Sequence, residues 1–334
     1  MILFLTEPEE DYLSDSILHG LRKIYGQNVI DYPKCEPLYD NCNAKIFKNI
    51  RGNGFTLYKT LPDIEIDRYH ILEKIKNNYF DYIFFGNIQR LYHYFIEILP
   101  YLNPQKTILL DGEDTPSIAP YSGKWWRNSN SLLISKAHKK FFYFKREWTP
   151  ETYNYRNYKL IPRNISNILY KNLKINKISF SIPEEKIIKI KVKKQKLFTN
   201  HIVDKEVAIY LNAKNTYCYD NEVAYYDDLQ ISKFGITTKR AGWDCLRHYE
   251  MAANGCVLCF KDLNKKPENC APHGLSRINS ITYNNINDLI NKINSLSEED
   301  YENLRDESLK WAHSKSSIAM AKYIINTVEA YIQC

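Results

Sequence analysis

The chain has 334 residues, of which 44% are hydrophobic and 25% charged, with a formal net charge of +7; this suits one large globular unit or two domains of ordinary size. Its apolar runs are too short for a signal peptide or a membrane span, and its eight cysteines lack the density of a small disulfide scaffold. The expected setting is cytoplasmic and reducing, at most peripheral to the inner face of a membrane.

From the amino terminus, strands are predicted over Ile2–Leu5, Val29–Tyr32, Tyr82–Phe85, 107–110 and 141–144. Amphipathic helices lie between them. Tyr12, Leu13, Ile17, Leu21 and Ile24 recur at helical spacing, as do Ile71, Ile75 and Tyr79. Strands alternating with helices predict a parallel sheet covered on both faces. Three of the strands run into polar or glycine-bearing sequence: Thr6-Glu-Pro8, Gly86-Asn-Ile-Gln-Arg90 and Asp111-Gly-Glu-Asp-Thr115. Ligands bind outside the carboxyl ends of such strands, so these segments are expected to line a cleft.

Residues 149–181 carry Tyr, Asn, Lys and Arg without clean periodicity and are punctuated by Pro162. This stretch reads as a connection between an N-terminal lobe, residues 1–165, and a C-terminal lobe, residues 166–334. Between Lys171 and Lys196 there are nine lysines against Glu184 and Glu185. Aromatic residues for base stacking are nearly absent there, so no nucleic acid is expected. The stretch reads as a solvated strand or interdomain surface, with an anionic membrane or anionic acceptor as the functional alternative.

The second lobe begins near Glu185 and alternates again: strand 217–219, helix 221–233, strand 234–237, helix 243–254 and strand 256–260. After Asn285 only helices follow. Cys256 and Cys259 form a C-x-x-C inside the apolar run Cys256-Val-Leu-Cys-Phe260. With only Cys270 and His273 as loose companions they read as buried hydrophobes, and no metal site is expected.

The densest chemistry lies in Phe234-Gly-Ile-Thr-Thr-Lys-Arg-Ala-Gly-Trp-Asp-Cys-Leu-Arg-His-Tyr-Glu-Met-Ala-Ala-Asn-Gly255. Thr238, Lys239, Arg240 and Gly242 bring a hydroxyl, two cations and free N–H groups to a helix amino terminus, an arrangement suited to phosphate. Asp244 is expected to cap that helix, and Arg247 and Glu250 share one of its faces. No G-x-G-x-x-G follows the first strand and no G-x-x-x-x-G-K-[ST] occurs, which argues against dinucleotide oxidoreduction and P-loop chemistry.

Glu250-Met-Ala-Ala-Asn-Gly255, followed by an apolar strand, resembles the nucleotide-sugar half of GT-B-fold glycosyltransferases. The opening Asp11-Tyr-Leu-Ser-Asp-Ser-Ile-Leu-His-Gly20 and Phe144-Lys-Arg-Glu147 are similar to a group 1-like branch that builds bacterial or viral surface glycans. The resemblance implies an α/β fold of two facing Rossmann-like lobes with a C-terminal helix returning to the first. It also implies Glu250 as acceptor for the ribose hydroxyls. Many retaining members carry a further glutamate where this chain has Gly242. The implied reaction moves a sugar from a nucleotide-activated donor to a hydroxyl of a glycan, lipid-linked or other acceptor. Lys239 and Arg240 would serve the leaving phosphate. Asp15, His19 or Asp114 would serve as base, with no cofactor and no metal. A sugar-nucleotide epimerase and a non-catalytic glycan- or nucleic-acid-binding protein are the alternatives.

Overall fold

The computed structural model describes residues 1–43, 45, 50, 54–118, 137–154, 162, 164, 165, 168, 169 and 173–333. Strands β1 (Ile2–Leu5), β2 (Val29–Tyr32), β3 (Tyr82–Phe85), β4 (Thr107–Asp111), β5 (Phe142–Lys145) and β6 (Asn176–Lys177) form a parallel sheet in the order β2-β1-β3-β4-β5-β6. The first-lobe helices are α1 (Tyr12–Tyr25), α2 (Ile71–Lys76), α3 (Tyr92–Ile98) and α4 (Glu151–Asn154). Continuous apolar runs form these strands because helices bury both faces of a parallel sheet. Asp11 starts α1 by accepting hydrogen bonds from the N–H groups of Leu13 and Ser14, both at 3.0 Å.

The second sheet is β10-β9-β8-β7, again parallel, from β7 (Lys196–Phe198), β8 (Ser232–Thr238), β9 (Val257–Lys261) and β10 (Ser280–Tyr283). It carries α5 (Lys205–Tyr210), α6 (Glu222–Ile231), α7 (Leu246–Ala253), α8 (Ile286–Asn294), α9 (Glu298–Ser314) and α10 (Ser317–Gln333). Helix α10 returns to the first lobe and packs along α1. At Gly20 a Cβ would meet the Ser317 carbonyl oxygen at 2.0 Å, so only glycine lets the two helices come this close. Helix α9 stacks Trp311 on Tyr249 of α7, with ring centres 4.9 Å apart. One apolar core therefore runs from β1, β3 and β4 through α1 and α10 to α7 and Leu258. The outer faces of the two sheets have cores of their own.

Several sequence expectations need correction. Residues 217–219 form no strand; instead Tyr217 and Tyr219 join an aromatic group with Tyr225. Strands β7 and β10 lie where none was foreseen, and β6, inside the stretch read as a solvated strand or interdomain surface, extends the first sheet to Lys177, beyond residue 165. These strands are short and lack clean alternation. Tyr79 lies outside α2, which stops at Lys76 before Asn78 takes φ 53. In the lysine-rich stretch, Lys171 lies outside the described residues. Lys186 pairs with Glu222 at 2.8 Å, Lys191 with Asp306 and Glu302, and Lys196 with Asp228, while Lys194 donates to the Gln230 carbonyl at 2.7 Å. Much of the basic run thus docks onto the second lobe.

Candidate active site

A cleft of about 1020 Å³ opens between the carboxyl edges of the two sheets. All three predicted strand-end segments reach it or border it, as expected at the position where strand order reverses between β1 and β3. The β1 loop contributes Glu9, Glu10 and Asp11, the β3 loop Arg90, and the β4 loop Glu113, Asp114 and Thr115. Arg90 Nε donates to Glu113 at 2.8 Å, and Asn87 Nδ2 donates to Asp11 at 2.6 Å and to Glu113 at 2.8 Å. Burial pushes the Asp11 carboxyl above its ordinary range, against the opposing pull of Arg90 and the hydrogen bonds of Ser14 and Asn87.

Arg146, at the end of β5, joins the lobes. Its buried guanidinium donates to Asp114, to Glu147 at 3.1 Å, and to the carbonyls of Gly112 at 3.0 Å and Asp244 at 3.2 Å. It also lies 4.3 Å from the centre of the Phe180 ring. Glu147 is buried beside it and accepts from the N–H groups of Trp243 at 2.8 Å and Asp244 at 3.2 Å, and from the Cys270 thiol at 3.0 Å. Gly242 passes so close that a Cβ would stand 2.5 Å from Glu147 Oε1 and 2.7 Å from Asp114 Oδ1. The glycine is therefore the point where the second-lobe loop seats on the first lobe.

Thr238, Arg240 and Gly242 line the cleft from the second lobe, with Asp244, Cys245 and Leu246 leading into α7. Arg240 is exposed, and its N–H donates to the Gly242 carbonyl at 3.1 Å. Lys239 is also exposed but lies outside the cleft lining, its ammonium 5.5 Å from the Trp243 ring centre. Asp244 does not cap α7: Cys245 occupies that position with no side-chain capping bond. Asp244 instead accepts from the Phe180 N–H at 2.9 Å and the Tyr249 hydroxyl at 2.8 Å, and burial pushes its carboxyl up to about 6.

Asp114 reaches the cleft, but Asp15 and His19 do not. Both are buried on α1. Asp15 accepts from Tyr58 at 2.8 Å, and burial with neighbouring Asp11 pushes it up to about 7. His19 meets Ser317 at 2.8 Å and Glu185 at 3.2 Å, so it ties α1 to α10 and to the crossing segment. Four residues apart on α1, Asp15 and His19 share a helix face, and that face is packed. Arg247 and Glu250 lie on α7 outside the cleft lining. Glu250 is buried and accepts from Thr56 and from Tyr225 at 2.6 Å. Sequence reading placed Arg90 and Glu113 in cleft-lining segments without giving them a role, and it missed Arg146 and Glu147 as neighbours of the cleft. The signal for these two lay in the charged run Lys145-Arg146-Glu147 at the end of a buried strand.

Cys256 and Cys259 are buried in and beside β9, and burial pushes the Cys256 thiol up to about 12. His273 is held down to about 3 by burial and nearby lysines. Among the described residues no group of three or more His, Cys, Asp or Glu is placed to hold a metal ion. None of the described helices is long and apolar enough to cross a membrane.

No family model matches the sequence, and neither does any curated protein. Solved structures do match over nearly the full length. A glycosyltransferase from Rickettsia africae ESF-5 aligns with a TM-score of 0.54 at 11% identity, covering 99% of this chain and 98% of that one. Anabaena Alr3699/HepE in complex with UDP-glucose aligns with a TM-score of 0.51 at 9% identity, covering 98% and 99%. The same protein with UDP and glucose gives 0.52 at 8% identity over the same shares. The chain has the fold of these glycosyltransferases. The α/β architecture of two facing Rossmann-like lobes, with C-terminal helices, is thereby established at full length.

Proposed function

We propose that the chain is a nucleotide-sugar-dependent glycosyltransferase that moves a sugar to a hydroxyl of a glycan, lipid-linked or other acceptor. The observation that carries this reading is the polarity of the cleft. Arg240 and the approach to α7 face it from one lobe, and Glu9, Glu10, Asp11, Glu113 and Asp114 face it from the other. A leaving phosphate needs cations and N–H groups, and an acceptor hydroxyl needs a carboxylate. Arg90 and Arg146 also line the first-lobe wall but are paired there with Glu113 and with Asp114 and Glu147, so the cleft sets the exposed Arg240 across from a carboxylate-rich wall. The solved relatives crystallised with UDP-glucose or with UDP support a uridine nucleotide as the donor class to try first.

In this reading Arg240 holds the phosphates, and Glu250 accepts the ribose hydroxyls. Asp114 takes the acceptor proton, being half-exposed at the cleft rim. The cationic loop supplies the charge neutralisation that a metal would otherwise provide, so transfer proceeds without one. Thermal unfolding with UDP, GDP and their sugar conjugates in excess EDTA tests the proposal. A nucleotide present at about a hundredfold above its Kd should stabilise the fold by about 2.7 kcal/mol. Asp114→Asn should keep that shift and lose transfer by a factor of about 10² to 10⁴. A wild-type protein stabilised by no nucleotide refutes the proposal, and activity that returns only with added manganese or magnesium refutes its metal-independent part.

A further inference from the structure

We propose that residues 54–58 of the first lobe form a latch on the second lobe, occupying the Glu250 carboxylate until a nucleotide ribose displaces them. This rests on the donor reading above. Both Glu250 oxygens are already engaged by hydroxyls: Thr56 donates to Oε1, and Tyr225 donates to Oε2 at 2.6 Å. The Tyr226 hydroxyl lies 2.7 Å from Thr56 Oγ1 and completes the chain. Two vicinal ribose hydroxyls ask for the same acceptor positions. The cleft accordingly stops at Leu246, one helical turn short of Glu250, while Ile50 of the first lobe lines it.

The latch is held from the opposite lobe. The Thr56 N–H donates to Glu222 of α6 at 2.6 Å, and the Phe55 ring sits 6.1 Å from Tyr217 and 6.2 Å from Tyr225. Thr56 itself has φ 75, a left-handed conformation that a β-branched residue keeps only when its surroundings impose it. Here the surroundings are two carboxylates of the second lobe. A ribose at Glu250 would replace the Thr56 hydroxyl there and release the strained backbone, while the Thr56 N–H would turn from Glu222 to water. Exchange therefore costs little, yet unliganded protein is held with the lobes pinned together. Donor binding would thus free the first-lobe segment that borders the acceptor side.

Calorimetric titration with UDP on wild type, Thr56→Val and Phe55→Ala tests the latch. Thr56→Val keeps the branched shape without a donor, and Phe55→Ala removes the aromatic anchor without touching Glu250. An occluded site lowers apparent affinity by the fraction of time it is open, so each folded variant should bind UDP at least about fivefold more tightly than wild type. Hydrogen exchange at the Thr56 amide should accelerate when UDP is added to wild type. Equal or weaker binding by both folded variants, with wild type binding UDP, overturns the latch alone. If none of the three proteins binds UDP or any other nucleotide, the donor reading falls and the latch falls with it.

Discussion

Among single residues, Arg240 and Lys239 separate what composition predicts from what packing decides. Adjacent in sequence and both cationic, they part at the turn: Arg240 borders the cleft and Lys239 lies over Trp243. A guanidinium can fork across two phosphate oxygens, and a cation fixed beside them gains most as charge builds in the transition state. Arg240→Ala should lower kcat by about a hundredfold with a smaller rise in KM, whereas Lys239→Ala should change kcat by less than about fivefold. Steady-state kinetics on the two variants decides this, and near-native turnover by Arg240→Ala would move the phosphate site elsewhere in the cleft. The sequence made Arg240, Gly242 and Asp114 visible because each sits just after a strand, where parallel sheets present their loops. It misplaced Asp15 and His19 because a polar pair on an amphipathic helix looks the same whether its face meets solvent or a second helix. Here α10, some three hundred residues away in sequence, covers His19 through Ser317.

Elements carry a different kind of legibility. The strands β1 to β5 announced themselves as buried apolar runs, whereas β6, β7 and β10 are held by neighbouring strands rather than by their own pattern. The junction of the lobes was hidden for a related reason: it is made of charge. Glu147 receives two N–H groups from the loop after Gly242, and Arg146 closes on the Asp244 carbonyl from the same strand end. Neither residue shows periodicity, and only the Lys145-Arg146-Glu147 run marked the place. Because Glu147 is fixed by several donors, it has little freedom to retreat from a larger neighbour at position 242. Gly242→Ala should therefore lower the unfolding free energy by about 1–3 kcal/mol, as overpacking does in a tight interior. Urea denaturation measures this. Unchanged stability would mean that the loop docks on the first lobe without needing the glycine's close approach.

Taken whole, the molecule is two sheets with one shared core, so its lobes are distinct in architecture but joined in energetics. Met320, Ala321, Ile324, Ile325 and Val328 of α10 are buried in the same cluster as Leu13, Ile17 and Leu21 of α1 and Tyr249 and Leu258 of the second lobe. The chain thus completes its first-lobe packing only with its last helix. Large apolar side chains buried in this way contribute about 1.5–3 kcal/mol each, and four of them rival the net stability of about 5–15 kcal/mol that holds a folded domain. A chain ending at Ser316 should therefore lose cooperative folding rather than merely loosen, even though no cleft residue has been removed. The truncated protein should show no sharp thermal transition and should bind hydrophobic dye at the α1 face. If it instead melts cooperatively within a few degrees of the full chain, about the shift expected for 1 kcal/mol in a protein of this size, then α10 is an ornament on the first lobe. The coupling between the lobes would then rest on the Arg146 and Glu147 junction alone.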